Sequence, residues 1–229
     1  IKETKAEAAK KAKKAKAKKA QAKEEKFLKE NRPRVLEKAK SKKSESDKLL
    51  DQAKKKIIET EKKLKGLKEN FNNVKDSVDE LFALDIQNKS DKEIKGLWAN
   101  LYRQQKEYFS NDDKLKKYSS MIDKSKNNFK KLKETNDYKI ILNIISGIER
   151  ANSKKRLVDF ETQLSSVNVI DIQPLNEILD ETTDEINSFA KEINEIDELR
   201  ERIIELDEKV GTGFNFITIG LYFLGFLLV

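Results

Sequence analysis

Between Leu50 and Leu81, apolar or small residues recur at alternating steps of three and four: Leu50, Ala53, Ile57, Thr60, Leu64, Leu67, Phe71, Val74, Val78 and Leu81. That spacing returns to one face of an α-helix at every turn, which makes it an unbroken a/d seam, and Lys, Glu and Asp surround it. A chain with such a seam must be helical there and must cover the stripe with another helix. The large members, Leu50, Ile57, Leu64, Leu67, Phe71, Val74, Val78 and Leu81, are the candidate helix-packing residues.

A polar stretch follows, Asp85-Ile86-Gln87-Asn88-Lys89, and then Ser90 with Glu93 reads as a capping box opening a new helix. The seam resumes as Ile94, Leu97, Leu101, Tyr108, Leu115, Tyr118, Ile122, Phe129 and Leu132, interrupted by Gln104, Asn111 and Ser125. Two seams on either side of a short connection predict a long antiparallel hairpin over residues 35–135. Each arm would be about 60 Å long at the helical rise.

The apolar run Ile140, Ile141, Leu142, Ile144, Ile145 and Ile148 is too short and too interrupted to span a bilayer, so short buried helices are expected over 136–173. Leu157, Phe160 and Leu164 have helical spacing, and Val167 to Ile172 is the one strand-like stretch. Pro174 suits the first turn of a helix, where its missing donor costs nothing. It opens an acidic amphipathic helix over 174–210. The seam there is Leu175, Leu179, Thr182, Ile186, Phe189, Ile193 and Ile196, slipping to Leu199, Ile203, Leu206 and Val210. Two successive steps of three are a stammer, which marks overwinding or a change of packing partner.

Composition agrees with long charged helices: 39% of residues are charged, 37% are apolar, and Gly and Pro number 7 and 2. Cys and His are both absent, which removes disulfides, thiolate zinc sites and every relay built on a thiol or an imidazole. No glycine-rich phosphate loop is present. A non-catalytic protein without a cofactor is the expectation, although carboxylates alone could still hold Mg²⁺ or Ca²⁺.

Net charge is +8, but it is unevenly spread: residues 1–75 balance at +15 and residues 158–210 at −12. Residues 1–34 form a Lys/Ala-rich arm, helical by propensity, that has no large apolar residue after Ile1 and before Phe27. Lys10, Lys11, Lys13, Lys14, Lys16, Lys18 and Lys19 are the candidate anionic-surface contacts, for lipid headgroups, another acidic surface or nucleic acid. Pro33 is expected to bend or end this helix. The chain opens at Ile1 rather than Met, which suggests a processed or truncated N-terminus.

Residues 210–229 carry no charge, and 211–229 match the ~30 Å hydrocarbon core in length. Phe214, Phe216, Ile217, Ile219, Leu221, Tyr222, Phe223, Leu224, Phe226 and Leu227 are the candidate membrane-inserting residues. The fold expected is therefore all-α: an elongated helical hairpin or coiled coil with a C-terminal hydrophobic, transmembrane helix.

A membrane-associated scaffold or tether fits this layout best, with membrane lipid and partner helices as its contacts, the helices its own or those of other subunits of a larger complex. The layout also resembles helical pore-forming toxins and secretion-system translocators in architecture, without a shared motif. It is loosely similar to SNARE fusion proteins, but Pro174 would interrupt the zippering helix. A nonspecific RNA- or ribosome-binding factor is the remaining class. Here 42 of the 49 basic residues are Lys and no aromatic stacking platform accompanies them.

Overall fold

The computed structural model describes residues 2–226 except Asp85, Ser90 and Asn111, and the side chains of residues 7–211 except these three and Asn136. It is all-α, built from long helices, with no strand among the described residues. The helices are α1 (Lys2–Ala83), α2 (Lys92–Tyr108), α3 (Asp113–Lys133), α4 (Asn136–Glu149), α5 (Lys154–Ser166) and α6 (Gln173–Phe226), with one 3₁₀ turn at Ile86–Asn88. They form two compact units. Unit 1 joins Ile1–Lys56 to Lys126–Asn176, and unit 2 joins Ile57–Ser125 to Glu177–Val229.

Pro33 neither ends nor splits α1. It lies on the exposed side of the helix, where water can satisfy the carbonyl left without a donor, while Val35 and Ala39 are fully buried just beyond it. Burial on the opposite face holds the helix through the proline.

In unit 1, Leu28, Val35 and Ala39 of α1 meet Ile141, Ile144 and Ile148 of α4 and Leu157 and Leu164 of α5. The polar contacts fix the directions. Arg32 bonds Ala151 and Asp47 bonds Tyr138, so α4 runs antiparallel to α1. Glu24 meets Lys154, Arg34 meets Glu161 and Lys42 meets Val167, so α5 runs parallel to it. The strand-like stretch from Val167 to Ile172 is irregular backbone that buries Val167, Ile170 and Ile172. Pro174 does sit in the first turn of α6.

Unit 2 repeats the same up, down, up plan. All ten seam positions from Leu50 to Leu81 are buried, Leu50 and Ala53 in unit 1 and the other eight in unit 2, where those from Leu64 onward enter one core with Ile94, Trp98, Leu101, Leu115, Tyr118 and Ile122. Ile186, Phe189, Ile193, Ile196 and Ile203 of α6 complete it. Gln105 bonds Asp79 and Lys68 bonds Ser119, so α2 and α3 return antiparallel to α1. Thr60 meets Thr183 and Asn70 meets Asn194, so α6 runs parallel to α1.

Two local expectations are corrected. The cap of α2 is Asp91, whose Oδ1 accepts from the backbone N–H of Glu93 at 2.8 Å and of Ile94 at 2.9 Å. The return arm is also not one helix but breaks between Tyr108 and Asp113. The run Ser110-Asn111-Asp112 favours local side-chain to backbone bonds over helix. The break leaves Phe109 buried edge-on to Phe71, with ring centroids 5.2 Å apart.

Among the described residues, no helix is long and apolar enough to cross a membrane. The side chains proposed to insert, Phe214 through Leu227, lie outside the described ones.

Candidate interaction surfaces

From Glu7 to Lys26 every residue of α1 is exposed, and core contacts begin only with Phe27 and Leu28. Lys10, Lys11, Lys13, Lys14, Lys16, Lys18 and Lys19 all belong to this stretch. At about 100° per residue they point in every direction around the axis. The arm is a rod charged all round, and it has no single binding face.

Where α1 joins unit 1, its cations take specific partners. Arg34 grips Glu161 of α5 with both terminal nitrogens, at 2.8 and 3.0 Å, and Lys38 adds a contact at 3.2 Å. The bonds from Arg34, with those from Lys38, hold the Glu161 carboxyl below the usual range. Arg32 and Lys42 occupy positions on the three-four series that leads from Leu28 through Val35 and Ala39 to Ser46. Arg32 donates to the carbonyl of Ala151, just past the end of α4, at 2.5 Å. Lys42 donates to the carbonyls of Leu164 and Val167 at the end of α5, at 2.8 and 2.5 Å. Both place a cation at the negative end of a helix dipole and satisfy carbonyls left over there.

Asp47 ties the start of α4 to α1. Its carboxylate accepts from Tyr138 Oη at 2.6 Å and from Lys43 Nζ at 2.5 Å. Partial burial pushes the acid up, but the bonds from Lys43 and Tyr138 outweigh it and leave it below its ordinary value. The same bond to Asp47 raises the Tyr138 phenol.

In unit 2 the acidic helix α6 meets lysines of the return arm. Lys114 pairs with Glu192 at 2.9 Å, Lys117 with Glu185 at 2.8 Å, and Lys89 with Asp207. Arg202 of α6 reaches Glu93 of α2 at 2.9 Å. Lys114 also lies over the Phe189 ring, 4.6 Å from its centroid. An open groove of about 490 Å³ lies beside the α2–α3 break, with Lys68, Lys75 and Lys116 above Phe71, Phe109 and Leu115. Two of its three lysines are engaged, Lys68 with Ser119 and Lys116 with Asp112. Among the described residues no cluster of carboxylates is arranged to hold a metal ion.

Sequence reasoning found the arm and the α1 seam. It missed Arg32, Lys42 and Asp47 as packing groups, because a charged residue in a charged helix reads as solvated. The one available signal was position, since Arg32 and Lys42 fall where the seam would place an apolar residue.

The fold and these surfaces define an all-helical bundle protein with a free cationic arm. Over 105 residues the chain is 28% identical to Protein GrpE of Borrelia hermsii (strain HS1 / DAH), a stretch that covers 45% of this chain and 57% of that protein. The chain thus spans little more than half the length of the curated relative it matches. No family model matches it, and neither does any solved structure.

Proposed function

We propose that this chain is a non-catalytic helical scaffold, anchored in a membrane by the uncharged stretch from Val210 to Val229, that holds out its N-terminal arm to polyanionic surfaces. One observation carries the second half of this reading: every residue from Glu7 to Lys26 is exposed, so no part of the arm's charge is covered by its own unit. Lysines facing all ways suit a diffuse partner, such as a phosphate-rich surface, better than a single docking site. The packing of Phe27 and Leu28 within unit 1 fixes where the arm starts.

Vesicle flotation tests both halves. Removing residues 1–26 takes away 11 Lys and 4 Glu. The full chain should float at low and high salt, and the chain lacking 1–26 should do the same. The chain lacking 211–229 should float only with anionic lipid at low salt, and should lose that binding when 1–26 is also removed. Flotation at high salt without 211–229 would refute the anchor. Equal low-salt binding with and without 1–26, in the chain lacking 211–229, would refute the arm.

A further inference from the structure

Four large hydrophobic side chains of unit 2 stand exposed among those described: Ile58, Leu84, Tyr102 and Val210, at 53, 67, 48 and 37%. A scatter of single exposed apolar groups is ordinary on a protein surface and needs no explanation. Three of these four, however, gather toward one end of the unit. Leu84 is in the turn that closes α1. Tyr102 stands beside Phe82 with ring centroids 5.9 Å apart, and Phe82 is edge-on to Trp98 at 4.8 Å. Val210 comes one turn after Asp207, which is bound to Lys89 of that same turn region. Ile58 lies about 39 Å away from Leu84 along α1 at the helical rise.

The aromatic groups border an open groove of about 500 Å³, lined by Gln87, Lys95, Trp98, Ala99 and Tyr102. Lys106 Nζ lies over the Tyr102 ring, 4.5 Å from its centroid. Trp98 is buried at the floor of the groove, and Tyr102 is the exposed ring. A Tyr ring flanked by lysines is suited to the boundary between headgroups and hydrocarbon, with the ring at the boundary and the ammonium groups reaching to water and phosphate.

We infer that this end of unit 2 rests on the lipid surface, with Leu84 entering the headgroup layer and the Tyr102–Trp98 groove lying at its edge. The inference builds on the membrane anchor proposed above. What selects lipid over a partner helix is where the uncharged stretch starts. Residues 210–229 follow directly from the part of α6 that Lys89 holds to the α1–α2 turn. A bilayer that takes up this stretch is therefore brought beside Leu84. The contact would fix how the bundle stands on the membrane, which an anchor alone leaves free.

The chain has no cysteine, so single spin labels can be placed without background. Leu84→Cys and Ile58→Cys both substitute exposed side chains and leave the core intact. In the full chain bound to vesicles, the label at position 84 should gain access to dissolved oxygen and lose access to a water-soluble nickel chelate. Its oxygen-to-nickel accessibility ratio should rise several-fold over that of the protein without vesicles, while position 58 stays unchanged. If the protein floats with vesicles but label 84 remains in water, this inference is wrong and the anchor stands. Entry of both labels would also refute it, since the unit would then lie along the surface. If the full chain does not float, the anchor fails and this contact fails with it.

Discussion

Gly147 of α4 lies beneath the ring of Phe160 of α5, so close that a Cβ on the glycine would come within 2.4 Å of the Phe160 Cζ. Glycine inside a helix costs about 1 kcal/mol relative to alanine, and here the missing Cβ leaves the space that the Phe160 ring fills. Gly147→Ala sets that propensity gain against an overpacking cost of about 1–3 kcal/mol. The expected outcome is a lower melting midpoint. Phe160→Leu should cost some stability alone yet restore much of what Gly147→Ala loses, and a double-mutant cycle followed by circular dichroism reads this directly. Additive effects would disprove the steric account.

Ser46 should behave in the opposite way. It is fully buried on α1, and its hydroxyl oxygen has no hydrogen-bond partner. A buried polar group left unsatisfied costs about 1–3 kcal/mol. Ser46→Ala removes the group, improves helix propensity and vacates almost no volume. A melting midpoint raised by a few degrees is expected, and a lowered one would mean that the hydroxyl has a partner in solution.

The α1 seam should tolerate no charge. Leu64 and Leu67 are 6 and 4% exposed within the unit 2 core. Truncation of a buried leucine alone costs about 2–5 kcal/mol. Leu64→Asp with Leu67→Asp adds two buried carboxylates without partners, so unit 2 should unfold. Far-ultraviolet circular dichroism should lose a large share of its helical signal at about 25 °C. An unchanged spectrum would overturn the seam as the organiser of this unit.

The Asp47 network predicts a dependence on pH. Its carboxyl sits below the ordinary value in the folded chain, held there by Lys43 and Tyr138 against the effect of partial burial. A lowered folded pKa contributes stability that is present above the unfolded value of about 3.9 and is lost as pH falls through the folded one. Melting midpoints of the wild type and of Asp47→Asn should therefore differ at neutral pH and converge in acid. At the alkaline end Tyr138 acts in reverse. Its folded pKa is raised, so its contribution is complete below about 10 and fades as pH climbs through the raised value. A wild-type-to-mutant gap that stays constant down to the acid limit would rule out the network.

For the anchor, Leu221→Arg places a charge near the middle of the uncharged stretch. On the insertion scale this costs about 2.5–3.5 kcal/mol. Vesicle-bound protein resistant to carbonate extraction should become extractable, with the helical signal of the bundles retained. Undiminished resistance would mean that the stretch does not insert.

Much of the helical plan was legible because the α1 seam repeats one pattern without exception. The return arm was less so. Ile94, Leu97 and Leu101 form a three-four series, but Ile94, Trp98 and Leu101 form an equally regular four-three one, and the structure buries Trp98 while Leu97 is only partly covered. Only the partner helix chooses between them. Pro33 misled for a related reason. The local rule against proline inside a helix is real, yet Val35 and Ala39 are buried on the far side and outweigh it. Ser90 and Asp91 both suit a helix cap, and sequence spacing favoured the wrong one of two adjacent residues.

Arg32 and Lys42 also settle a question of alignment. Two stripes of greasy side chains can slide past one another by a whole heptad and still find grease, so an apolar seam by itself is a ruler without a zero mark. A slide of seven residues in unit 1 would pull both cations off the carbonyls of Ala151, Leu164 and Val167 and bring one of them, Lys42 or Arg32 according to direction, to the level of the buried Val35 or Ala39. These two residues set the zero. α4 and α5 can lock onto α1 at one offset only, and the length of exposed arm left over in front of Phe27 is determined by that offset.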